Sequence, residues 1–93
     1  MVEVNEYFDG RVKSFVIDSK DGKKTIGAMS EGQFEINTDS KELMTVLAGS
    51  ISVYLEDENE WEEFGAGSSF DVPAKSKLKV RVTQDTAYFC EYE

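Results

Sequence analysis

Residues 42–55 contain two apolar runs that are separated by Gly49 and Ser50. Both runs have the apolar and β-branched content of strands, and a glycine followed by a small polar residue suits a tight turn because glycine accepts a positive φ. The stretch therefore predicts two strands joined as a β-hairpin at Gly49 and Ser50.

Short runs of the same kind recur along the rest of the chain. Turn signals such as Asp9-Gly10 and Glu31-Gly32 separate them, and no window has sustained helical periodicity. This pattern indicates an all-β sandwich or barrel. Further strands are predicted at residues 11–17, 25–30, 33–38, 61–64, 78–82 and 87–92, with a polar hairpin loop at residues 19–24 and an acidic loop at residues 56–60.

The length and charge of the chain limit its organisation and its partners. Residues 1–93 are expected to form a single domain, because a chain of this size cannot build two cores. Nineteen acidic and ten basic residues give a net charge of −9, which disfavours nucleic acid and anionic membranes as partners. Any phosphate site must therefore contain its own local cation.

Cysteine content and the N-terminal residues bear on the cellular compartment. The single cysteine, Cys90, excludes an intramolecular disulfide and a thiolate zinc cluster. Residues 1–7 have neither the basic start nor the apolar run of a signal peptide, so we expect a cytoplasmic protein.

Two spaced motifs resemble the signature elements of the cupin superfamily. Glu42 precedes Gly49 with six residues between them, and Gly67 precedes Pro73 with five. The resemblance implies an RmlC-like cupin β-barrel, or double-stranded β-helix, in which three histidines and a glutamate ordinarily bind a divalent metal.

The ligand positions implied by the cupin motifs do not carry histidine, and the sequence contains none. Counting back from Glu42 puts Ile36 and Thr38 at the first two positions, and counting forward from Pro73 puts Leu78 at the third. Glu42 and one hydroxyl fall short of a transition-metal site. We therefore expect a cupin without a catalytic metal or other cofactor, and a metal cupin is the less favoured alternative.

A set of positions spread over residues 5–92 matches one protein family in order and spacing. These positions are Asn5 to Phe8, Gly10, Val12 to Ser14, Gly27, Met29, Gly32, Thr38, Glu42 to Val46, Gly49, Trp61, Gly67, Phe70, Val72, Pro73, Tyr88, Cys90 and Tyr92. With them the chain resembles the pyrimidine/purine nucleoside phosphorylase family. The resemblance implies metal-independent phosphorolysis of purine and pyrimidine ribonucleosides to the free base and α-D-ribose 1-phosphate, by a glycosyltransferase of nucleoside metabolism that is a homodimer.

Glu42 and Lys13 are the candidate catalytic residues. An oxocarbenium-like transition state favours a carboxylate near the anomeric carbon, and the motif implies that Glu42 lies at the barrel mouth. Its alternative role is to complete the cap of a helical turn that starts at Asp39 or Ser40. Lys13 is the candidate phosphate ligand, although a strand lysine is often simply solvated.

The candidate substrate-binding residues are Ser14, Thr38, Met44 and Tyr7. Ser14 should face the opposite side of the sheet from Lys13, so only one of the two can easily line the barrel. Thr38 could hydrogen-bond substrate or its own backbone, Met44 could be an adaptable wall for the base or ordinary core, and Tyr7 could stack on a base.

Residues 87–92 form the last predicted strand. Tyr88, Cys90 and Tyr92 should share one strand face and pack in the core, with Cys90 as a buried, unreactive thiol. The alternative for Tyr88 and Tyr92, as for Tyr7, is to stack on a base or close the cavity. The alternative to an enzyme is a metal-free cupin that binds a nucleoside or sugar without turnover.

Overall fold

The computed structural model describes residues 2–55 and 59–92, and within these residues the chain forms ten β-strands and no helix. No described segment could therefore cross a membrane as an apolar helix. The loop predicted at residues 56–60 lies in part outside the described residues. The strands are β1 Glu3–Tyr7, β2 Val12–Ser19, β3 Gly22–Met29, β4 Gly32–Asn37, β5 Glu42–Ala48, β6 Ser50–Leu55, β7 Glu60–Gly65, β8 Ser69–Val72, β9 Lys77–Val82 and β10 Thr86–Tyr92.

The strands form two antiparallel sheets that enclose one apolar core. The six-stranded sheet has the order β1-β2-β3-β10-β5-β8, and the four-stranded sheet has the order β4-β9-β6-β7. Strand pairing within residues 2–55 and 59–92 does not join the two sheets, so the predicted barrel is an open arrangement of two facing sheets. The buried apolar core comprises Val12, Met29, Phe34, Met44, Val46, Ile51, Val53, Val72, Leu78, Val80, Val82, Tyr88 and Cys90.

The predicted hairpin at Gly49 is wrong in its pairing, although both strands exist. Strand β5 pairs with β8 and β10, whereas β6 pairs with β7 and β9, so the chain passes between the sheets at Gly49. Gly49 has a φ of 81°. A Cβ there would lie 2.5 Å from Oγ1 of Thr86 and 2.9 Å from the carbonyl oxygen of Asp85. Glycine is therefore required where the chain crosses between the sheets for two reasons. A Cβ would lie too close to Thr86 and Asp85, and the backbone has a positive φ.

The hairpin predicted at residues 19–24 is confirmed, but its loop is much shorter than predicted. Strand β2 continues to Ser19, which pairs with Gly22, and only Lys20 and Asp21 lie between them. Lys23 and Lys24 therefore belong to β3. Since side chains alternate along a strand, the two lysines point to opposite faces of the sheet.

Cross-strand register places a set of polar side chains on the inner face of the six-stranded sheet. Thr25 lies opposite Cys90, and Tyr92 lies opposite Glu42. Directly paired residues share a face, so these side chains point toward the four-stranded sheet. We call this set the polar wall; its members are Ser14, Thr25, Glu42, Tyr88, Cys90 and Tyr92.

Candidate functional site

A cavity of about 580 Å³ lies between the two sheets, against the polar wall. This volume is within the range of about 300–1,000 Å³ that small-molecule sites occupy. Its described lining residues are Asn5, Tyr7, Phe8, Val12, Ser14, Val16, Lys23, Thr25, Met29, Glu35, Ile36, Asn37, Asp39, Ser40, Glu42, Met44, Tyr88, Cys90 and Tyr92.

Glu42 is held in this cavity by its position as the first residue of β5 and by a hydrogen bond from Cys90. The predicted helical turn at residues 39–41 does not form, and Glu42 instead opens β5, so the capping role is excluded. The Sγ atom of Cys90 donates a hydrogen bond to Oε1 of Glu42 at 3.0 Å. Burial, reinforced by the neighbouring carboxylate, raises the pKa of the Cys90 thiol, which therefore stays protonated at neutral pH.

Tyr92 lies beside Glu42 and connects it to β3. Its hydroxyl oxygen is 3.2 Å from Oγ1 of Thr25, and burial raises the pKa of the phenol, so Tyr92 is neutral. The Nζ atom of Lys23 lies 5.1 Å from the centroid of the Tyr92 ring, within cation–π distance. Among the described residues that line the cavity, Lys23 is the one with a cationic side chain.

Ser14, Gly27 and Tyr88 form a second polar region on the same wall. A Cβ at Gly27 would lie 2.5 Å from the hydroxyl oxygen of Tyr88, so the glycine leaves the space that the tyrosine ring occupies. The ring thereby crosses β3 and its hydroxyl reaches Ser14 on β2. Burial raises the pKa of Tyr88 to about 12, against a lowering effect of the hydrogen bond with Ser14.

The structure brings four of the six predicted site residues together. Glu42, Ser14, Met44 and Tyr7 line the cavity, whereas the described lining does not include Lys13 or Thr38.

Lys13 and Thr38 both have partners elsewhere. The side chain of Lys13 is 59% exposed, and its Nζ atom lies 3.4 Å from a carboxylate oxygen of Glu6. The Thr38 hydroxyl donates to the carbonyl of Pro73 at 2.8 Å and accepts from the amide of Ser76 at 3.0 Å. Thr38 thus takes the backbone-bonding alternative and fastens the loop after β8.

The residues at the cupin ligand positions do not fit a divalent metal. Ile36 and Leu78 offer no donor atom, and the Thr38 hydroxyl is engaged with the backbone. Within the described parts of the chain, no three histidine, cysteine, aspartate or glutamate side chains cluster as a metal site would require. The described lining of the cavity instead offers hydrogen-bonding and charged side chains.

Sequence reasoning missed the site roles open to Lys23, Thr25 and Cys90, and it favoured packing over a site role for Tyr92. Lys23 was hidden because residues 19–24 were interpreted as a loop. Cys90 and Tyr92 were placed correctly on one face of the last strand, but packing was favoured as the role of that face. Tyr92 lies opposite Glu42 in register, and side chains alternate along β10, so Cys90 and Tyr92 share the face of Glu42. This alternation is the signal that could have identified them.

Comparison with known structures defines the class of the fold. The chain superposes on an RmlC-like cupin from Shewanella frigidimarina with a TM-score of 0.73, at 14% identity, over 98% of this chain and 82% of that one. The protein therefore has a cupin-like fold, built from one pair of facing sheets.

Sequence comparison then gives the family. The family model for pyrimidine/purine nucleoside phosphorylase matches residues 2–92, so the chain belongs to that family. A relative from Pseudomonas aeruginosa PAO1, named pyrimidine/purine nucleoside phosphorylase, is 51% identical over 99% of this chain and 99% of its own length. A crystal structure from Vibrio parahaemolyticus, described as a protein of unknown function, has a TM-score of 0.96 at 34% identity, covering 100% of this chain and 99% of that one.

Proposed function

We propose that the protein is a metal-independent nucleoside phosphorylase that cleaves purine and pyrimidine ribonucleosides with inorganic phosphate. The observation that carries the proposal is the placement of a carboxylate, Glu42, and an ammonium group, Lys23, on opposite sides of Tyr92 along one cavity wall. The family and its named relatives support the same reaction.

The reaction transfers a pentosyl group to phosphate. The bond from C1′ of the ribose to the base nitrogen breaks, and its electron pair stays with the base. An oxygen of hydrogenphosphate forms the new bond to C1′, and the proton lost by hydrogenphosphate ends on the base nitrogen. The products are the free base and α-D-ribose 1-phosphate.

Glu42 is proposed to bind the ribose and stabilise the transition state. An ionised carboxylate accepts hydrogen bonds from sugar hydroxyls, and it stabilises the positive charge that develops at C1′ as the base leaves. Its position inside the cavity strengthens both effects because less water screens the charge.

Lys23 is proposed to bind the phosphate, in place of Lys13. The net charge of −9 requires a local cation, and Lys23 supplies one that faces the cavity. Strands β3 and β5 flank β10, so the backbones of Lys23 and Glu42 are two strand spacings, roughly 10 Å, apart. Phosphate at Lys23 is thereby kept away from direct repulsion by Glu42.

The other groups that line the cavity are proposed to bind the base of the nucleoside and to accept both purines and pyrimidines. Ser14 and Tyr88 present hydroxyl groups that rotate to donate or accept, so they can satisfy a purine or a pyrimidine edge. Met44 supplies an adaptable apolar surface, and the half-exposed ring of Tyr7 is available for stacking. Broad substrate acceptance follows from this mixture.

The enzyme is proposed to act as a homodimer. An apolar row on the outer face of the six-stranded sheet supports this, with Val4, Phe15 and Ile26 adjacent in register and 52%, 49% and 41% exposed. Covering such a row stabilises an assembly through the hydrophobic effect. Light scattering of a Phe15→Glu variant should report a monomer; an unchanged mass would place any interface elsewhere.

The test of the function is base release from uridine and adenosine, with and without phosphate, after chelator treatment. The proposal expects release of uracil and adenine only when phosphate is present, at a rate that the chelator does not lower. Ligand-induced thermal stabilisation without any release would instead favour the metal-free binding module. Loss of activity on chelation would contradict metal independence.

A further inference from the structure

The contact between Cys90 and Glu42 joins two neighbouring strands on the inner face of the six-stranded sheet. Cys90 lies opposite Met44 in the register of β10 and β5, and Glu42 lies opposite Tyr92, one inward-facing position further along. The hydrogen bond of 3.0 Å from Sγ of Cys90 to Oε1 of Glu42 is therefore diagonal across the strand pair.

The surroundings of Cys90 fix the direction of this hydrogen bond. The thiol is 1% exposed, and its burial together with the carboxylate raises its pKa, so it remains a donor. An ionised carboxylate has only acceptor atoms, so the hydrogen bond runs from sulfur to oxygen. Cys90 is the hydrogen-bond donor that the structure records for Glu42 within the described residues.

We propose that Cys90 is a positioning residue, whose thiol holds Oε1 of Glu42 and thereby leaves Oε2 to interact with the ribose. The kinetic consequence of this inference rests on the proposed function, whereas the contact between Cys90 and Glu42 does not. A free carboxylate would sample several rotamers, whereas one fixed oxygen keeps the charge of Glu42 near the anomeric carbon.

A purely packing role for Cys90 makes different predictions from a donor role. Serine keeps a hydrogen-bond donor on a slightly smaller side chain, and alanine removes it while leaving the backbone of β10 unchanged. Packing predicts that Cys90→Ser and Cys90→Ala behave alike, whereas positioning predicts that serine preserves function and alanine does not.

The contact can be tested directly by infrared spectroscopy, because Cys90 is the only cysteine in the chain. The S–H stretching band is thus assigned by its loss in Cys90→Ser. Replacing Glu42 by Gln should move the band to higher frequency, since a neutral amide oxygen is a weaker acceptor than a carboxylate. An unchanged band would overturn the proposal whether or not the protein is a phosphorylase.

The functional consequence is tested by kcat/KM for uridine phosphorolysis in the same variants. Cys90→Ala should lower kcat/KM about tenfold, the effect of losing one hydrogen bond to a charged group, and Cys90→Ser should stay within about twofold of the native chain. Equal losses in both variants, or none in either, would overturn the proposal.

Failure of the proposed function is distinguishable from failure of this inference. If the native protein releases no base, calorimetric affinity for uridine replaces kcat/KM, and the same about tenfold difference between alanine and serine is expected. Equal uridine affinities in the two variants would then overturn the positioning role. Thermal unfolding of each variant identifies any that has lost its fold.

Discussion

The inner faces of the two sheets follow the same strand alternation but carry different chemistry. The inner face of the four-stranded sheet is an apolar wall, formed by Ile51, Val53, Leu78, Val80 and Val82. The polar wall of the six-stranded sheet carries hydroxyl, thiol and carboxylate groups at equivalent inward positions. One sheet therefore supplies most of the packing, and the other supplies the groups that can act on a substrate.

The polar wall stays compatible with folding because its groups satisfy one another. Cys90 donates to Glu42, and the hydroxyl groups of Thr25 and Tyr92 are paired. Within the described residues, no buried side-chain nitrogen or oxygen lacks a hydrogen-bond partner. Buried polar groups are destabilising mainly when unpaired, so these pairs let a small core accommodate a reactive surface.

Replacing Glu42 by Gln on the polar wall should give the largest effect, a loss of activity with little change in stability. The amide keeps the size of the side chain but removes the charge that we propose stabilises the transition state, so we expect kcat to fall about 100- to 1,000-fold. The free energy of unfolding should change little, because Glu42 is at the edge of the core. Urea unfolding and steady-state kinetics measure both; turnover near the native rate would remove Glu42 from the mechanism.

The converse change is Leu78→Ala on the apolar wall. Removing this buried side chain leaves a cavity, which should lower the free energy of unfolding by about 2–5 kcal/mol. Activity per folded molecule should remain within a few-fold of the native value, measured at a temperature where the variant is folded. A large loss of kcat in a folded variant would show that the apolar wall also shapes the reaction.

Lysine substitutions test which cation serves phosphate. Lys23→Ala should raise the KM for phosphate about 10- to 100-fold, because it removes a hydrogen bond between two charged groups. Lys13→Ala is the matched control on the outer face of the same sheet and should leave this KM unchanged. The reverse result would restore the sequence-based choice of Lys13.

Alkaline pH should weaken the polar wall. Since burial raises the pKa of Tyr88 from 10.0 in the unfolded chain to about 12, its contribution to stability is complete below pH 10 and is lost as the pH rises through 12. The raised pKa values of Cys90 and Tyr92 act in the same direction. Urea unfolding across this range should show a falling free energy of unfolding, and Tyr88→Phe should reduce the fall by roughly 2–3 kcal/mol; equal pH slopes in both proteins would contradict the assignment.

Local patterns predicted most of the strands but not their partners. Residues 61–64 were predicted as a short strand and lie within β7, because strand composition and flanking turns are local signals. The hairpin at Gly49 failed because the requirement for glycine comes from Thr86 and Asp85, which are distant in sequence. A turn signal gives the backbone conformation, whereas pairing depends on the packing of both sheets.

The candidate site residues likewise include some that local sequence signals identify and others that depend on the packing of the sheets. Glu42 was found from motif spacing, and the alternation of Lys13 and Ser14 correctly predicted that one of them would line the cavity. Alternation could not say which one, because that depends on which face the core covers. Lys23 required the length of the β2–β3 turn, which the polar composition of residues 19–24 obscured.

The most direct test of the central claim is phosphorus NMR of uridine and inorganic phosphate incubated with the native protein and with Glu42→Gln. The account predicts that the native protein forms ribose 1-phosphate in equal amount to the uracil released, while the folded variant forms it at least about 100-fold more slowly. Uracil released together with free ribose, or equal rates in the two proteins, would contradict phosphorolysis on the polar wall.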